Sequence, residues 1–310
     1  MEKLIVTSSP HVKSNTTTST IMRDVIIALI PALIASNIIF GLRAGLVTAV
    51  CVASCVGFEY LSRRIMNKKN TISDLSAVVT GIILAFNLPS TMPLWMCVIG
   101  SFVAIVIVKQ LFGGIGQNFA NPAITARIVL LVSFGTQMTN WVAVKAQAPV
   151  DALLAVTGAT PMAQIAAGET PNLLNMFLGT TGGSLGETSA LALLIGGIYL
   201  VVRKVISPII PVAFIGTVFV FSAALGVNPL AQILGGGLFL GAIFMATDYS
   251  TSPVTNMGKL IFGIGCGFIT VVIRVFGSYP EGASFAILLM NILVPYIDKA
   301  TKLKALGGKR

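Results

Sequence analysis

The side chain best suited to covalent chemistry is Thr160, the last residue of Thr157-Gly-Ala-Thr160 within the run Ala155-Val-Thr-Gly-Ala-Thr-Pro-Met162. A Ser/Thr/Asp-Gly-Ala-Thr element is the pattern at which a flavin transferase attaches FMN, through a phosphoester from the threonine hydroxyl to the flavin phosphate. Gly158 lets the backbone approach the phosphate, Ala159 leaves room for a bulky nucleotide, and Thr160 supplies the nucleophilic oxygen. Gly-Ala-Thr by itself is a common string, so its weight depends on where the chain displays it.

Two carboxylates and two amides are the other candidates. Asp248 closes an apolar run, and Glu187 opens one within Gly-Glu-Thr-Ser. Ionisable groups at membrane depth are costly and mark ion paths, proton relays or paired sites. Glu187 has a second reading, since a carboxylate in a first helical turn complements the helix dipole. Asn118 and Asn121 stand at i, i+3 beside Gly113, Gly114 and Gly116. Their amides could hydrogen-bond the edge of a planar ring admitted by the glycines, or cap a helix opening at Pro122. For Glu281, after Tyr279-Pro280, a cap is the simpler reading.

The elements that must carry these groups are membrane helices. Of the 310 residues, 55% are hydrophobic and 10% charged, and mean hydropathy is +0.93. Soluble chains carry roughly a quarter charged residues. Apolar stretches of membrane-crossing length recur throughout. They predict helices at 24–42, 45–62, 72–88, 93–111, 121–135, 188–203, 206–225, 230–247, 259–277 and 282–298.

The net charge of +10 does not point to nucleic acid, because the basic residues sit in joints between apolar runs. Arg63, Arg64, Lys68, Lys69, Arg203, Lys204 and the tail from Lys299 to Arg310 then share one side. By the positive-inside rule that side is cytoplasmic, with both termini. The expected division is a cytoplasmic segment 1–23, a first membrane repeat 24–135, an outward loop 136–187, a second repeat 188–298 and a basic tail 299–310. Thr160 would therefore face outward, where a flavin transferase is expected to act. The N-terminus lacks the apolar core and small-residue site of a cleaved signal peptide.

Cys51, Cys55, Cys97 and Cys266 all lie in apolar segments without a CxxC pair. Cys51 and Cys55 share a helix face at i, i+4, which allows a ligand pair; buried cysteines acting as small hydrophobes are the simpler reading. The single histidine, His11, precedes the first apolar run, which disfavours haem. The two halves also resemble each other. Gly81-Ile-Ile-Leu-Ala-Phe-Asn87 leads to Pro93, and Gly241-Ala-Ile-Phe-Met-Ala-Thr-Asp248 leads to Pro253. Later come Phe112-Gly113 and Phe276-Gly277, each after a basic residue, Lys109 or Arg274. About five helices per half requires opposite orientations, and inverted repeats with interrupted helices are a transporter signature. Chance similarity between Gly-rich apolar helices is the alternative.

Five strings in order carry a resemblance. They are Gly113-Gly-Ile-Gly-Gln-Asn-Phe-Ala-Asn-Pro-Ala123, Thr157-Gly-Ala-Thr160, Gly183-Ser-Leu-Gly-Glu-Thr-Ser189, Met245-Ala-Thr-Asp-Tyr-Ser-Thr-Ser-Pro253 and Tyr279-Pro-Glu-Gly-Ala-Ser-Phe-Ala286. On these residues the chain resembles the NqrB/RnfD family of membrane redox subunits. Thr157 stands where relatives often carry Ser or Asp, a departure that leaves Thr160 in place. The short N-terminal segment fits the Rnf branch better than the Nqr branch.

The resemblance implies an all-α polytopic membrane protein of about ten helices, in two inverted five-helix repeats with a urea-transporter-like fold. It implies one-electron transfer through FMN held covalently on Thr160, with a noncovalent riboflavin as a second flavin within the bundle. Asn118 and Asn121 match family positions associated with that second flavin, with Asp248 nearby. The function implied is that of an Rnf-type subunit coupling electron transfer between ferredoxin and NAD+ to Na+ or H+ translocation. Alternatives are an Nqr-type, quinone-reducing subunit and a solute channel without redox chemistry. The sequence holds neither a Rossmann fingerprint nor a cysteine set for a cluster. NAD-binding and iron–sulfur parts would then belong to partner subunits, and maturation to a flavin transferase.

Overall fold

Thr17 opens the first helix: its hydroxyl accepts from the Thr20 amide, as an N-cap should. In the computed structural model, residues 16–141, 160–166, 169–187, 189–277 and 282–302 are described. Helix α1 (Thr18–Phe40) and α2 (Leu42–Ile65) meet at Gly41, whose φ of 71° makes the reversal available to glycine. Arg63 and Arg64 close the last turn of α2, opposite the negative end of its dipole.

A short turn, Ile72–Asp74, leads to α3 (Ser76–Phe86). Next, α4 (Leu94–Phe102) runs on as a π-helical stretch, Val103–Gln110. Helix α5 (Pro122–Ser133) follows a glycine-rich loop, and α6 (Gly135–Met138) is a single turn. Two short helices, α7 (Pro161–Ala166) and α8 (Leu173–Leu178), precede α9 (Ala190–Val202) and α10 (Ile209–Ala224). Helix α11 (Pro229–Leu234) is short, and α12 (Leu238–Leu240) winds directly into a π turn, Gly241–Met245. The long helices α13 (Asn256–Phe276) and α14 (Ala283–Ala300) complete the described fold.

Among the described residues, four helices are long and apolar enough to cross a membrane: α1, α2, α13 and α14. Their outward faces carry what water would reject, including Ile30, Ile34 and Ile38 on α1 and Ile264 and Phe268 on α13. Exposed large apolar faces of this extent call for lipid rather than water. The chain is thus an all-α membrane protein, with no strand among the described residues.

Between helices, glycines bring backbones together, as membrane packing favours. A Cβ on Gly81 of α3 would stand 2.7 Å from the Val52 Cα of α2. One on Gly263 or Gly267 of α13 would meet backbone of α10 at 3.0 or 2.9 Å. On the α1–α9 contact, Asp24 accepts from Arg203 at 3.2 Å and from the Tyr199 hydroxyl at 3.3 Å. The main core joins residues of α1, α3, α5, α9, α10, α12–α14 and both π segments.

Two sequence expectations change. Helix α1 begins at Thr18, inside the segment expected to precede the membrane, because Thr17 caps it. The helix expected over 230–247 is broken at Gly235–Gly237, where Gly236 and Gly237 have φ of 66° and 65°. Arg274, from the last turn of α13, fills the break. Its guanidinium donates to the carbonyls of Gln232 at 2.5 Å and of Gly235 and Gly236 at 3.0 Å each.

A polar-ended cavity and a pinned helix break

Asn121 caps α5: its Oδ1 accepts from the amides of Ala123 and Ile124 at 3.0 and 3.3 Å, and Pro122 needs no partner. Its Nδ2 donates to the Met245 carbonyl at 3.2 Å, tying α5 to the end of the π turn Gly241–Met245. The cap reading therefore holds for Asn121, whose carbonyl oxygen is taken by α5 and one of whose two N–H groups by Met245. Asn118 differs: its Oδ1 is buried and has no partner.

Both asparagines line a cavity of about 350 Å³. Its long walls are apolar, with Ile21, Met22 and Val25 of α1, Val79 and Ile83 of α3, Leu200 of α9, and Ile243 and Phe244. Polar groups also line it: Ser76, Thr80, Lys109, Thr247, Asp248 and Ser250. A mostly apolar cavity with a few polar groups is the usual form of a small-ligand site.

Asp248 follows the π turn and bends the chain. Its Oδ2 accepts from the hydroxyls of Ser250 at 3.0 Å and Thr251 at 3.1 Å. Also at the cavity, Lys109 Nζ donates to Glu59 Oε2 at 2.7 Å and Ser76 Oγ at 2.6 Å. Glu59 Oε1 accepts from Thr71 at 2.6 Å, and Ser76 Oγ donates to Asp74 at 2.5 Å. Lys109 and Glu59 are 2% and 0% exposed, so neither charge could persist there without the other. Sequence reasoning noted Lys109 as a mark of internal repetition and of the cytoplasmic side, and overlooked Glu59. A lone acid amid the apolar run of α2 was the available signal.

Thr160 and Glu187 belong to a second locality. Thr160 is 7% exposed, and its Oγ1 accepts from the Ala163 amide at 3.2 Å, capping α7. A Cβ on Gly235 would stand 2.8 Å from Met162 Sδ, so the turn after Thr160 rests on the helix break that Arg274 fills. Gly158 and Ala159 lie outside the described residues, as does Glu281.

Glu187 accepts from Ser184 Oγ at 2.9 Å, and its carboxyl group faces Gly237. Helix α9 is capped by Ser189 and starts at Ala190, with no acid in its first turn. The helix-dipole reading of Glu187 is thereby corrected. Its carboxyl group instead sits at the glycine break, beside Gly237, while Arg274 occupies the space at Gly236. All four cysteines are buried as free thiols.

The arrangement thus brings Asn118, Asn121 and Asp248 to one cavity and sets Thr160 and Glu187 around a separate glycine break. For a flavin, the orphaned Asn118 acceptor, the apolar walls and the polar lining groups are a fitting donor and acceptor set.

Comparison with known proteins gives the lineage. The description "NQR2, RnfD, RnfE family" matches residues 5–307. The chain is 48% identical to the D subunit of the Na(+)-translocating ferredoxin:NAD(+) oxidoreductase complex of Acetobacterium woodii, covering 98% of this chain and 95% of that protein. It is 42% identical to the D subunit of the proton-translocating ferredoxin:NAD(+) oxidoreductase complex of Clostridium ljungdahlii, over 98% and 96%. Identity to the D subunit of the ion-translocating oxidoreductase complex of Stutzerimonas stutzeri is 39%, over 93% and 91%. With end-to-end similarity of this depth, the chain belongs to the NQR2, RnfD, RnfE family.

Proposed function

We propose that this chain is the flavin-carrying membrane subunit of an Rnf-type complex, coupling electron transfer between ferredoxin and NAD+ to outward movement of Na+ or H+. The observation that carries the reading is the full-length similarity to the D subunits of two ferredoxin:NAD(+) oxidoreductase complexes. One relative is named for sodium and the other for protons, so the reading names a monovalent cation of either kind. An Nqr-type, quinone-reducing role and a channel role rank below it, since the relatives above carry ferredoxin:NAD(+) names.

Bound flavin would supply one-electron transfer, and the chain would hold and tune it. Thr160 would carry FMN by its Oγ1, which keeps its bond from the Ala163 amide as an ester oxygen. The cavity would take a noncovalent isoalloxazine, with Asn118 Oδ1 accepting from a ring N–H. Asp248 and Glu187 are the candidates for an ion path. NAD, ferredoxin and iron–sulfur centres would reside on partner subunits.

The finer architecture proposed is about ten spans in two inverted repeats of urea-transporter-like form, with both termini on the cytoplasmic side of the inner membrane. Matching element order supports it: two helices, an interrupted third, a long fourth and a fifth, over α1–α5 and again over α9–α14. In each half, the base near the end of the fourth helix reaches the interruption of the third. Lys109 bonds to Ser76, and Arg274 to Gly235 and Gly236.

The test is covalent flavin. Expressed with its flavin transferase and run on a denaturing gel, the wild-type chain should fluoresce, and Thr160→Ala should be dark. A dark wild-type band from folded protein, or fluorescence that survives Thr160→Ala, refutes the attachment.

A further inference from the structure

Lys109 has three N–H donors, and two are spent on Glu59 and Ser76. Lys109 and Ser76 line the cavity and Glu59 does not. The buried ion pair is therefore an oriented dipole, with its positive end at the cavity wall and its negative end behind, held by Thr71. Among the described residues lining the cavity, Lys109 is the one base and Asp248 the one acid.

We propose that Lys109 is the residue that sets the redox potential of the flavin in this cavity, giving its remaining N–H to the pyrimidine edge of the ring. The inference rests on the flavin reading of the cavity given above. One electron enters from an iron–sulfur carrier of a partner subunit and later leaves to the next carrier; no bond to the protein forms or breaks. Reduction adds negative charge to the ring, chiefly along the pyrimidine edge. A cation fixed there favours the reduced state over the oxidised one, and in an apolar slot its field is weakly screened. Glu59 and Ser76 are positioning residues. They hold Nζ at the wall, and the 2.5 Å bond from Ser76 to Asp74 fixes the hydroxyl so that its lone pair faces the ammonium.

The experiment uses the whole complex purified with all its subunits. Acid extraction separates noncovalent flavin from the flavin that stays with the protein, and redox titration gives the midpoint of the extractable one. Lys109→Gln should retain extractable flavin and shift its reduced-to-oxidised ratio toward oxidised by tenfold or more, about 59 mV more negative for a one-electron couple. Lys109→Arg, which keeps the cation, should restore most of the shift. Because Lys109→Gln leaves Glu59 unpaired, the double change Lys109→Gln with Glu59→Gln removes both charges and should shift the midpoint in the same direction. An unchanged midpoint in either assembled variant, with flavin retained, overturns the proposal. The parent reading fails differently: if Asn118→Ala with Gly116→Leu leaves both the amount and the midpoint of extractable flavin unaltered, that flavin is not in this cavity and Lys109 loses its assigned partner.

Discussion

Asp248 does two things that asparagine and alanine substitutions separate. Its Oδ2 organises the turn after the π segment through Ser250 and Thr251, and its carboxyl group lines the cavity that Lys109 also lines. Asparagine keeps an acceptor for those hydroxyls and removes the charge, whereas alanine removes both. On the ion-path reading, Asp248→Asn and Asp248→Ala should both leave Thr160 fluorescent on a denaturing gel. Each should lower cation uptake into vesicles, per ferredoxin oxidised, about tenfold, a loss of roughly 1.4 kcal/mol in the coupled step. Uptake at the wild-type ratio in Asp248→Asn would mean that the carboxylate only builds the turn. The same logic explains why Asn121 is a poor choice for testing ligand contacts. Its oxygen caps α5 and one N–H bonds Met245, so its replacement would disturb the helix before it disturbed any ligand.

Among the elements, the break between α11 and α12 is held by a single side chain. Arg274 satisfies carbonyls that a continuous helix would have bonded internally, and a planar fork is what lets one residue serve several of them. Lysine keeps the charge and loses the fork. Arg274→Lys should therefore leave buried carbonyls unpaired and cost about 1–3 kcal/mol for each group left unsatisfied. A lower thermal midpoint in detergent would register that loss. Since Met162 packs on Gly235, flavin loading of Thr160 should fall with it; unchanged stability and loading would show that the break holds itself. The sequence carried a sign of this element in Gly235-Gly-Gly237, yet hydropathy alone predicted one helix over 230–247. Periodicity sees apolar content and is blind to a base 38 residues away that replaces the missing helical bonds. The Lys109–Glu59 pair, 50 residues apart, was illegible for the same reason. A short-range signal fared better at Asn121-Pro122, the start of α5, whereas the short helix α7 opening at Pro161 lies in a stretch read as loop.

For the whole molecule, the distribution of charge makes a claim about sidedness that the fold can be used to test. Arg63 and Arg64 close α2, and Lys68 and Lys69 follow them. Lys109 joins that end of α2 to the start of α3 through Glu59 and Ser76, so the cavity it lines lies toward the basic end of the bundle. Thr91 bonds to the Asn140 carbonyl at 3.0 Å, and Arg43, from the first turn of α2, to that of Met92. Those groups define the opposite end, from which the chain leads toward Thr160. If the basic end is cytoplasmic, the flavins proposed for Thr160 and for the cavity would lie toward opposite sides of the membrane, as transfer across it would require. All four native cysteines are buried, so a charged, membrane-impermeant maleimide added to intact cells meets little background thiol. Under that arrangement Glu169→Cys should label from outside, and Lys68→Cys should label only after the cells are opened. The reverse pattern would put Thr160 on the cytoplasmic face, where a transferase acting outside could not reach it, and the covalent-flavin reading would fall together with the orientation.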